Sequence, residues 1–241
     1  QTAYESLVAF DIDACIAIGG NGTFTGADIF SKEYNIPIVG IPGTIDNDLF
    51  GTDYTIGFDT AVNTAIDAVD KIRDTADSHN RLFFVEVMGR HSGFIALSTG
   101  IGSGAESVLI PETDVSVEAL IDKLNKGVRR KKLFSVVIVA EGNKYGGASK
   151  IAELVNERFR HYDTKIAIIG HLQRGGSPTA LDRLLASRLG YAAVEGLLAG
   201  QSNVMVGIVN EKVTFTPFAE AISTPRPINE DLLKIAEILA V

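Results

Sequence analysis

The chain has 241 residues, of which 46% are hydrophobic, so it can bury a substantial core in one large domain or in two smaller lobes. Its net charge is −8, and its basic residues are interspersed with acids except in RRKK at 129–132, which argues against nucleic acid or an anionic membrane as a partner. No run is apolar enough for a membrane span, and the single Cys15 excludes an internal disulfide, so we expect a cytoplasmic protein.

Short apolar runs alternate with segments of helical pattern along the whole chain. The predicted strands are 13–20, 36–41, 81–88, 107–111, 134–142, 165–170 and 204–210. The predicted helices are 23–34, 58–72, 92–100, 116–128, 148–159 and 181–199. Because short, fully apolar strands between helices are typical of parallel sheets covered on both faces, the sequence predicts a doubly wound α/β fold.

Ligands of such folds bind beyond the carboxyl ends of the strands, and two strand exits near the start of the chain are rich in candidates. GGNGT at 19–23 can present backbone N–H groups and a helix N-terminus to a phosphate, although an ordinary glycine-rich turn fits it equally well. PGTIDNDL follows the next strand, and there Asp46 can accept a proton from a substrate hydroxyl while Asp48 helps to hold magnesium. An Asx-rich turn without chemistry is the alternative.

Three later strand exits also carry polar residues beside glycines. In MGRHSG, Arg90 can bind an anion, and in EGNKYGG, Glu141 can accept hydrogen bonds from sugar hydroxyls. In HLQRGGSP, His171 and Arg174 can converge on a phosphate. A surface arginine and a histidine that caps its own loop are the structural alternatives, but five such exits together indicate one functional site.

These motifs occur in the order and spacing found in bacterial-type 6-phosphofructokinases, and the chain resembles that family over essentially its whole length. The resemblance implies transfer of the γ-phosphoryl group of MgATP to the 1-hydroxyl of fructose 6-phosphate in glycolysis. It also implies two doubly wound, three-layer lobes with mostly parallel sheets and the active site in the cleft between them. We expect residues 1–57 with 173–222 to form the nucleotide lobe, and 58–172 with 223–241 to form the sugar-phosphate lobe.

The family pattern assigns a role to each matching position. Asp46 is the general base, Thr44 and Arg90 stabilise the transferred phosphoryl group, and Asp48 lies near Mg²⁺, with Asn21 as the second candidate metal ligand. The nucleotide side is Gly20, Asn21, Gly22 and Thr23. The substrate side is Thr44, Ile45, Asp46, Met88, Gly89, Arg90, Glu141, His171 and Arg174, with Arg81 and Lys165 contributed by a neighbouring subunit of a homotetramer.

The resemblance further implies an effector site for ADP or phosphoenolpyruvate between subunits. Its residues in this chain would be Arg73, Glu106, Arg130 and Lys132. A solvated helix end with stabilising cations explains the basic cluster at 129–132 equally well.

Two positions depart from the family, and one part of its pattern falls outside the chain. Asn21 stands where the family has aspartate, which removes a negative charge from the metal side. Lys165 stands where the family has arginine, which changes a bidentate phosphate contact into a point charge. The family's first glycine-rich loop and a following arginine would precede Gln1, so we expect upstream residues to be missing.

The phosphoryl donor is predicted from two glycines. Pyrophosphate-using members of the family carry aspartate at the position of Gly22 and lysine at that of Gly43, so both positions favour ATP. A pyrophosphate-dependent enzyme and an inactive or regulatory subunit remain as alternatives. An NAD or lipid kinase would not need MGR together with HLQRGGSP, and a dehydrogenase would need a dinucleotide fingerprint that the chain lacks.

Overall fold

A computed structural model describes residues 1–76, 80–130 and 132–240. The chain divides into two compact units, each of which draws on two stretches of sequence. The first unit consists of Gln1–Phe58 with Pro178–Arg226, and the second consists of Asp59–Ser177 with Pro227–Val241. Within the described ranges, none of the helices combines the length and the apolar character that a membrane crossing requires.

The first unit contains a mostly parallel sheet. Its strands are β1 (Cys15–Gly19), β2 (Ile38–Thr44), β3 (Ile56–Gly57), β8 (Val204–Val209) and β9 (Lys212–Pro217). The strand order is β1-β2-β8-β9, with β3 pairing to the end of β2. Only the β8–β9 pairing in this sheet is antiparallel, and Asn210 and Glu211 connect those strands with positive φ angles.

Helices cover both faces of this sheet. The helices of the unit are α1 (Thr2–Ala9), α2 (Asn21–Tyr34), α7 (Ala180–Leu198) and α8 (Phe218–Ser223). One face packs against α2 and α8, where the rings of Phe24 and Phe218 stack with centroids 5.2 Å apart over Gly40. A Cβ atom at Gly40 would lie 2.5 Å from the Phe218 ring, so only glycine permits this close approach. Leu185 and Leu189 of α7 pack on the other face, which gives three layers.

The second unit contains an all-parallel sheet. Its strands are β4 (Arg81–Val87), β5 (Ser107–Leu109), β6 (Phe134–Ala140) and β7 (Asp163–Ile168), in the order β5-β6-β4-β7. Its helices are α3 (Phe58–Ala76), α4 (Phe94–Gly102), α5 (Val117–Arg129), α6 (Gly147–Asn156), α9 (Glu230–Leu239) and a 3-10 helix at Gly170–Arg174.

The core of the second unit reflects the alternation of side chains along its strands. Leu82 and Phe84 of β4 pack with Leu124 of α5 and Ile151 of α6. The neighbouring strand β6 is buried from Ser135 to Ala140, as expected for a central strand with both faces covered. The predicted doubly wound α/β architecture is therefore confirmed, with a separate sheet in each unit. The sequence reading did not predict α1, α8, α9 or the antiparallel strand β9.

Candidate active site

Two strand exits of the first unit lie side by side. Strands β1 and β2 are parallel neighbours, and Gly19 pairs with Pro42 near their carboxyl ends. Helix α2 begins at Asn21, directly after β1, while the loop that begins at Thr44 follows β2. The register therefore brings the GGNGT segment next to the loop that carries Asp46 and Asp48.

The first turn of α2 has the features of an anion site. The N–H groups at the start of a helix lack intrahelical partners and lie at the positive end of its dipole. Gly22 and Thr23 are exposed in this turn, and a Cβ atom added at Gly22 would meet nothing within 4 Å. A Cβ at Gly20 would instead lie 3.2 Å from Thr44. Glycine at these two positions keeps the space in front of the helix open and lets the two strand exits approach closely.

Asn21 and Asp48 are joined by a hydrogen bond. Asn21 Nδ2 donates to Asp48 Oδ2 at 3.0 Å, across 27 residues of sequence. Both side chains are half-buried. Within residues 1–76, 80–130 and 132–240, no group of three or more His, Cys, Asp or Glu side chains is arranged to hold a metal. One carboxylate with an amide oxygen nevertheless suits Mg²⁺, which takes few protein ligands when phosphate oxygens and water complete its shell.

The loop from Thr44 to Thr55 is held by its own polar groups. Asn47 has a left-handed backbone with φ 55°, which asparagine tolerates better than most residues. Asn47 Oδ1 accepts a hydrogen bond from Thr55 N at 2.9 Å, and Thr55 Oγ1 donates to Thr44 O at 2.6 Å. Asp46 is 9% exposed, and its N–H donates to Thr44 Oγ1 at 3.3 Å. Asn47 thus positions the two flanking aspartates, a role that the sequence reading did not assign to it.

Three strand exits of the second unit also converge. In the parallel register, Val87 of β4 pairs with Ala140 of β6, and Glu86 pairs with Ile168 of β7. The segments after these strands therefore share one edge of the sheet. They carry the predicted residues Met88, Gly89, Arg90, Glu141, His171 and Arg174.

Glu141 organises the loop after β4. Its Oε1 accepts hydrogen bonds from Arg90 N at 2.7 Å and Gly89 N at 3.3 Å. Arg90 has a positive φ of 51°, and Gly89 has φ 145°. A Cβ at Gly89 would lie 2.5 Å from the Ser92 carbonyl oxygen, so glycine is required there. The Glu141 carboxylate thus fixes the loop that presents the exposed Arg90, in addition to its predicted contact with a sugar hydroxyl.

Gln173 supports the same edge and was missed by the sequence reading. It is 1% exposed, and its Oε1 accepts a hydrogen bond from Met88 N at 2.8 Å. Its neighbours His171 and Arg174 are exposed on the 3-10 helix. Gln173 therefore anchors the short helix that carries His171 and Arg174. Gln173 lies inside the HLQRGGSP motif, but its hydrogen-bond partner Met88 lies 85 residues away, so the motif alone does not indicate this contact.

Arg81 and Lys165 lie away from this edge. Arg81 is the first residue of β4, and Lys165 pairs with Phe83 in the same half of the sheet. At about 3.3 Å per residue, the six steps from Arg81 to Val87 span about 20 Å. Lys165 Nζ lies 3.0 Å from Asp163 Oδ2, and both side chains are exposed. Within one chain, these two residues do not join the cluster around Glu141.

Three of the four predicted effector residues lie together in the second unit. A pocket of about 400 Å³ is lined by Arg73, Glu106 and Lys132 together with Leu133 and Phe134. Glu106 is 5% exposed, and Lys132 Nζ lies 2.9 Å from its Oε2.

The remaining predicted effector residue lies at the end of α5. Arg130 is exposed there and does not line the pocket. Lys131, which belongs to the basic cluster at 129–132, lies outside the described residues.

Comparison with known proteins places these features in one family. The sequence model described as Phosphofructokinase matches residues 1–197. An ATP-dependent 6-phosphofructokinase of Cytophaga hutchinsonii is 54% identical over 239 residues, 99% of this chain and 73% of the relative. ATP-dependent 6-phosphofructokinase 1 of Thermus thermophilus is 53% identical over 99% of this chain and 74% of its own length.

Solved structures agree with the sequence matches. The Pichia pastoris phosphofructokinase structure, described as T-state, is 36% identical with a TM-score of 0.84, over 92% of this chain and 26% of its own. A pyrophosphate-dependent phosphofructokinase from Marinobacter aquaeolei is 26% identical with a TM-score of 0.79, over 98% of this chain and 70% of its own. The chain belongs to the phosphofructokinase family.

Proposed function

We propose that the protein transfers the γ-phosphoryl group of ATP to the 1-hydroxyl of fructose 6-phosphate, giving fructose 1,6-bisphosphate and ADP. The observation that carries the proposal is the loop from Thr44 to Asp48. In this loop Asn47 has a left-handed backbone and lies between the buried Asp46 and the half-buried Asp48. The curated names of relatives at 54% and 53% identity support it. As expected of a glycolytic enzyme, the proposed site of action is the cytoplasm.

The first unit is assigned to the nucleotide and to the base. Gly20 to Thr23 at the start of α2 would bind phosphate through backbone N–H groups. Asp48 and the Asn21 amide oxygen would hold Mg²⁺, which when bound neutralises charge on the phosphate chain. Asp46 would accept the proton of the attacking hydroxyl, and Thr44 with Ile45 would lie along the transferred group.

The second unit is assigned to the sugar phosphate. Arg90, His171 and Arg174 are exposed at the strand exits. The two guanidinium groups can bind phosphate through charge-assisted hydrogen bonds, and the imidazole can donate a ring N–H. Glu141 Oε2 can accept from sugar hydroxyls while Oε1 holds the loop, and Met88 with Gly89 would line the substrate. Phosphoryl transfer mainly requires such positioning and charge neutralisation.

Arg81 and Lys165 are assigned to a site shared with a second copy of the chain. Arg81 stands about 20 Å from the Glu141 edge, and Lys165, which pairs with Phe83, stands about 13 Å from it. Both distances support contribution to a neighbouring subunit rather than to their own. A homotetramer with shared active sites is the proposed assembly. Lys165 would supply one point charge to the sugar phosphate.

ATP is preferred over pyrophosphate as the donor because of the open space at Gly22. An aspartate there would enter that space without a steric clash and would crowd and repel the α-phosphate of the nucleotide, a group that pyrophosphate lacks. At Gly43, a Cβ would lie 2.9 Å from Ile18 Cγ2, so lysine would require Ile18 to move. An inactive subunit is the third reading, and the intact Asp46 loop argues against it.

The test is formation of fructose 1,6-bisphosphate with magnesium and either ATP or pyrophosphate as donor. Turnover with ATP alone is the expected result. Turnover with pyrophosphate alone would reverse the donor assignment but would still support fructose 6-phosphate as the acceptor. No turnover with either donor would favour the inactive-subunit reading.

The pocket around Glu106 and Lys132 is proposed as a binding site for an anionic effector. Its basic residues Arg73 and Lys132 suit the phosphates of ADP or phosphoenolpyruvate. Lys132→Ala should weaken ADP binding in calorimetry by at least about tenfold, as expected for loss of a charge-assisted contact. Lys126→Ala, in the last turn of α5 and outside the pocket lining, is the control, and an equal loss in both variants would argue against a specific pocket.

A further inference from the structure

Arg226 makes two hydrogen bonds to the backbone of the loop that carries Asp46 and Asp48. Its Nη1 donates to Asn47 O at 2.7 Å, and its Nη2 donates to Asp53 O at 2.6 Å. Arg226 follows α8 and is the last residue of the first unit, 179 residues away from Asn47 in sequence. One guanidinium group therefore ties together two carbonyls that lie six residues apart.

One accepting carbonyl lies between the two aspartates, and the other lies in a part of the loop that is bonded to the sheet. Asn47 is the left-handed residue between the two aspartates, so the direction of its carbonyl fixes the peptide unit that leads into Asp48. Asp53 is anchored elsewhere, because its Oδ2 accepts a hydrogen bond from Asn210 N at 2.7 Å and its N–H donates to Ile208 O at 2.7 Å. Arg226 thus connects the functional half of the loop to a part fixed on the sheet.

The guanidinium suits this task better than another cation. Arg226 is half-buried, and burial lowers the pKa of its guanidinium while the nearby Asp53 carboxylate opposes that shift. An arginine side chain remains charged in proteins, so both bonds are charge-assisted. Its planar fork reaches two acceptors at once, whereas a lysine ammonium on a flexible stem would not hold both in one fixed geometry.

We propose that Arg226 is a positioning residue for phosphoryl transfer, which orients Asp46 and Asp48 by holding the carbonyls of Asn47 and Asp53. The inference rests on the proposed function, because it assigns chemistry to those two aspartates. Arg226 acts through the loop and contacts no substrate in this role. Its loss should therefore affect the chemical step more than substrate binding, since displacement of a reacting group by about 1 Å can lower the rate about 100-fold.

The experiment compares Arg226→Lys and Arg226→Met with Arg188→Met. Arg188 is a matched control in the same unit, because its guanidinium also binds a backbone carbonyl, Glu211 O at 3.0 Å, and a carboxylate oxygen, Glu211 Oε2 at 3.2 Å. Steady-state kinetics give kcat and the two KM values, and thermal unfolding gives Tm. Hydrogen exchange measures the backbone amides of residues 44–55.

Arg226→Met should lower kcat about 30- to 100-fold and change the KM for fructose 6-phosphate by less than about threefold. The kcat of Arg226→Lys should lie between that of Arg226→Met and that of the parent protein. The kcat of Arg188→Met should stay within about twofold of the parent value. Amides of residues 44–55 should exchange faster in both Arg226 variants and not in Arg188→Met. This combination would support the positioning role.

Two results would overturn it. If Arg226→Lys and Arg188→Met have the same kcat and the same exchange in residues 44–55, Arg226 does not position the loop; this comparison also decides the case if Arg226→Met fails to fold. If kcat is unchanged in Arg226→Met and only Tm falls, the residue is structural. A parent protein without turnover would reject the proposed function instead, and the exchange of residues 44–55 in Arg226→Lys would then decide the positioning role.

Discussion

Replacement of Asn21 by aspartate introduces the residue that the family pattern implies at this position and tests the proposed Mg²⁺ site. In the structure, Asn21 donates a hydrogen bond to Asp48 at 3.0 Å, so the neutral amide stabilises the single carboxylate. Asn21→Asp removes that donor and adds a second negative charge at the same place. We expect the variant to be less stable without metal and to bind Mg²⁺ more tightly.

The magnitude follows from the observed distance. Loss of a hydrogen bond to a charged acceptor costs about 1.5 to 3 kcal/mol. Two charges 3.0 Å apart repel by about 1.4 kcal/mol at the dielectric constant of water and about 5.5 kcal/mol at an effective value of 20. Because both side chains are half-buried and can rotate apart, the lower figures apply. The free energy of unfolding should fall by about 3 kcal/mol, which lowers Tm by about 6 to 12 °C.

The assay is thermal unfolding without and with Mg²⁺, together with Mn²⁺ binding followed by electron paramagnetic resonance. A ligand at about 100 times its Kd stabilises the folded state by about 2.7 kcal/mol, so saturating Mg²⁺ should restore most of the Tm lost by Asn21→Asp. Asn21→Ala is the control, because it removes the hydrogen bond and adds no charge. Its Tm should fall by about half as much, and Mg²⁺ should not restore it.

The reasoning would be refuted if Asn21→Asp bound Mn²⁺ no more tightly than the parent protein. It would also fail if Mg²⁺ raised the Tm of the parent, Asn21→Asp and Asn21→Ala by equal amounts, because the second carboxylate would then contribute nothing to metal binding.

Three further predictions concern the proposed roles of single residues. Asp46→Ser should lower kcat by about 10² to 10⁴ with little change in fructose 6-phosphate affinity, and retained turnover would remove Asp46 from the role of base. Gly22→Asp should raise the KM for ATP at least about tenfold while Tm stays within a few degrees, because a Cβ there meets open space; an unchanged KM would place the nucleotide elsewhere. Lys165→Ala should raise the KM for fructose 6-phosphate with kcat nearly unchanged, whereas Lys150→Ala, an exposed lysine on α6, should change neither.

Much of the fold could be predicted because its signals are local. The apolar run around Val136 to Val139 marked a central strand, and the spacing of Ala61, Ala65 and Val69 marked helix α3. Helix α9 was missed although its signals were readable: Asn229 caps it by accepting from Asp231 N and Leu232 N, and two acidic residues occupy its first turn. Strand β9 was missed because its sequence, KVTFTP, mixes polar and apolar residues instead of forming a fully apolar run, and its pairing with β8 decides its structure.

The candidate site was predicted less completely than the fold. The positions of Asp46 and Asp48 after a buried strand were predicted, and β2 ends at Thr44. The sequence predicts Glu141 as a partner for sugar hydroxyls, whereas in the structure its carboxylate accepts two N–H groups from the loop after β4. Gln173 lies inside HLQRGGSP, but nothing in the local sequence indicates that its side chain reaches Met88 N.

The sequence by itself determined the order of the central strands and the helices between them, their doubly wound class and the motifs at the strand exits, because hydrophobic periodicity and glycine placement act within a few residues. Only the tertiary structure decided which polar groups meet. The pairing of Asn21 with Asp48 spans 27 residues, and that of Arg226 with Asn47 spans 179. Such contacts depend on strand register and on the path of the chain, which brings together side chains whose local patterns carry no information about each other.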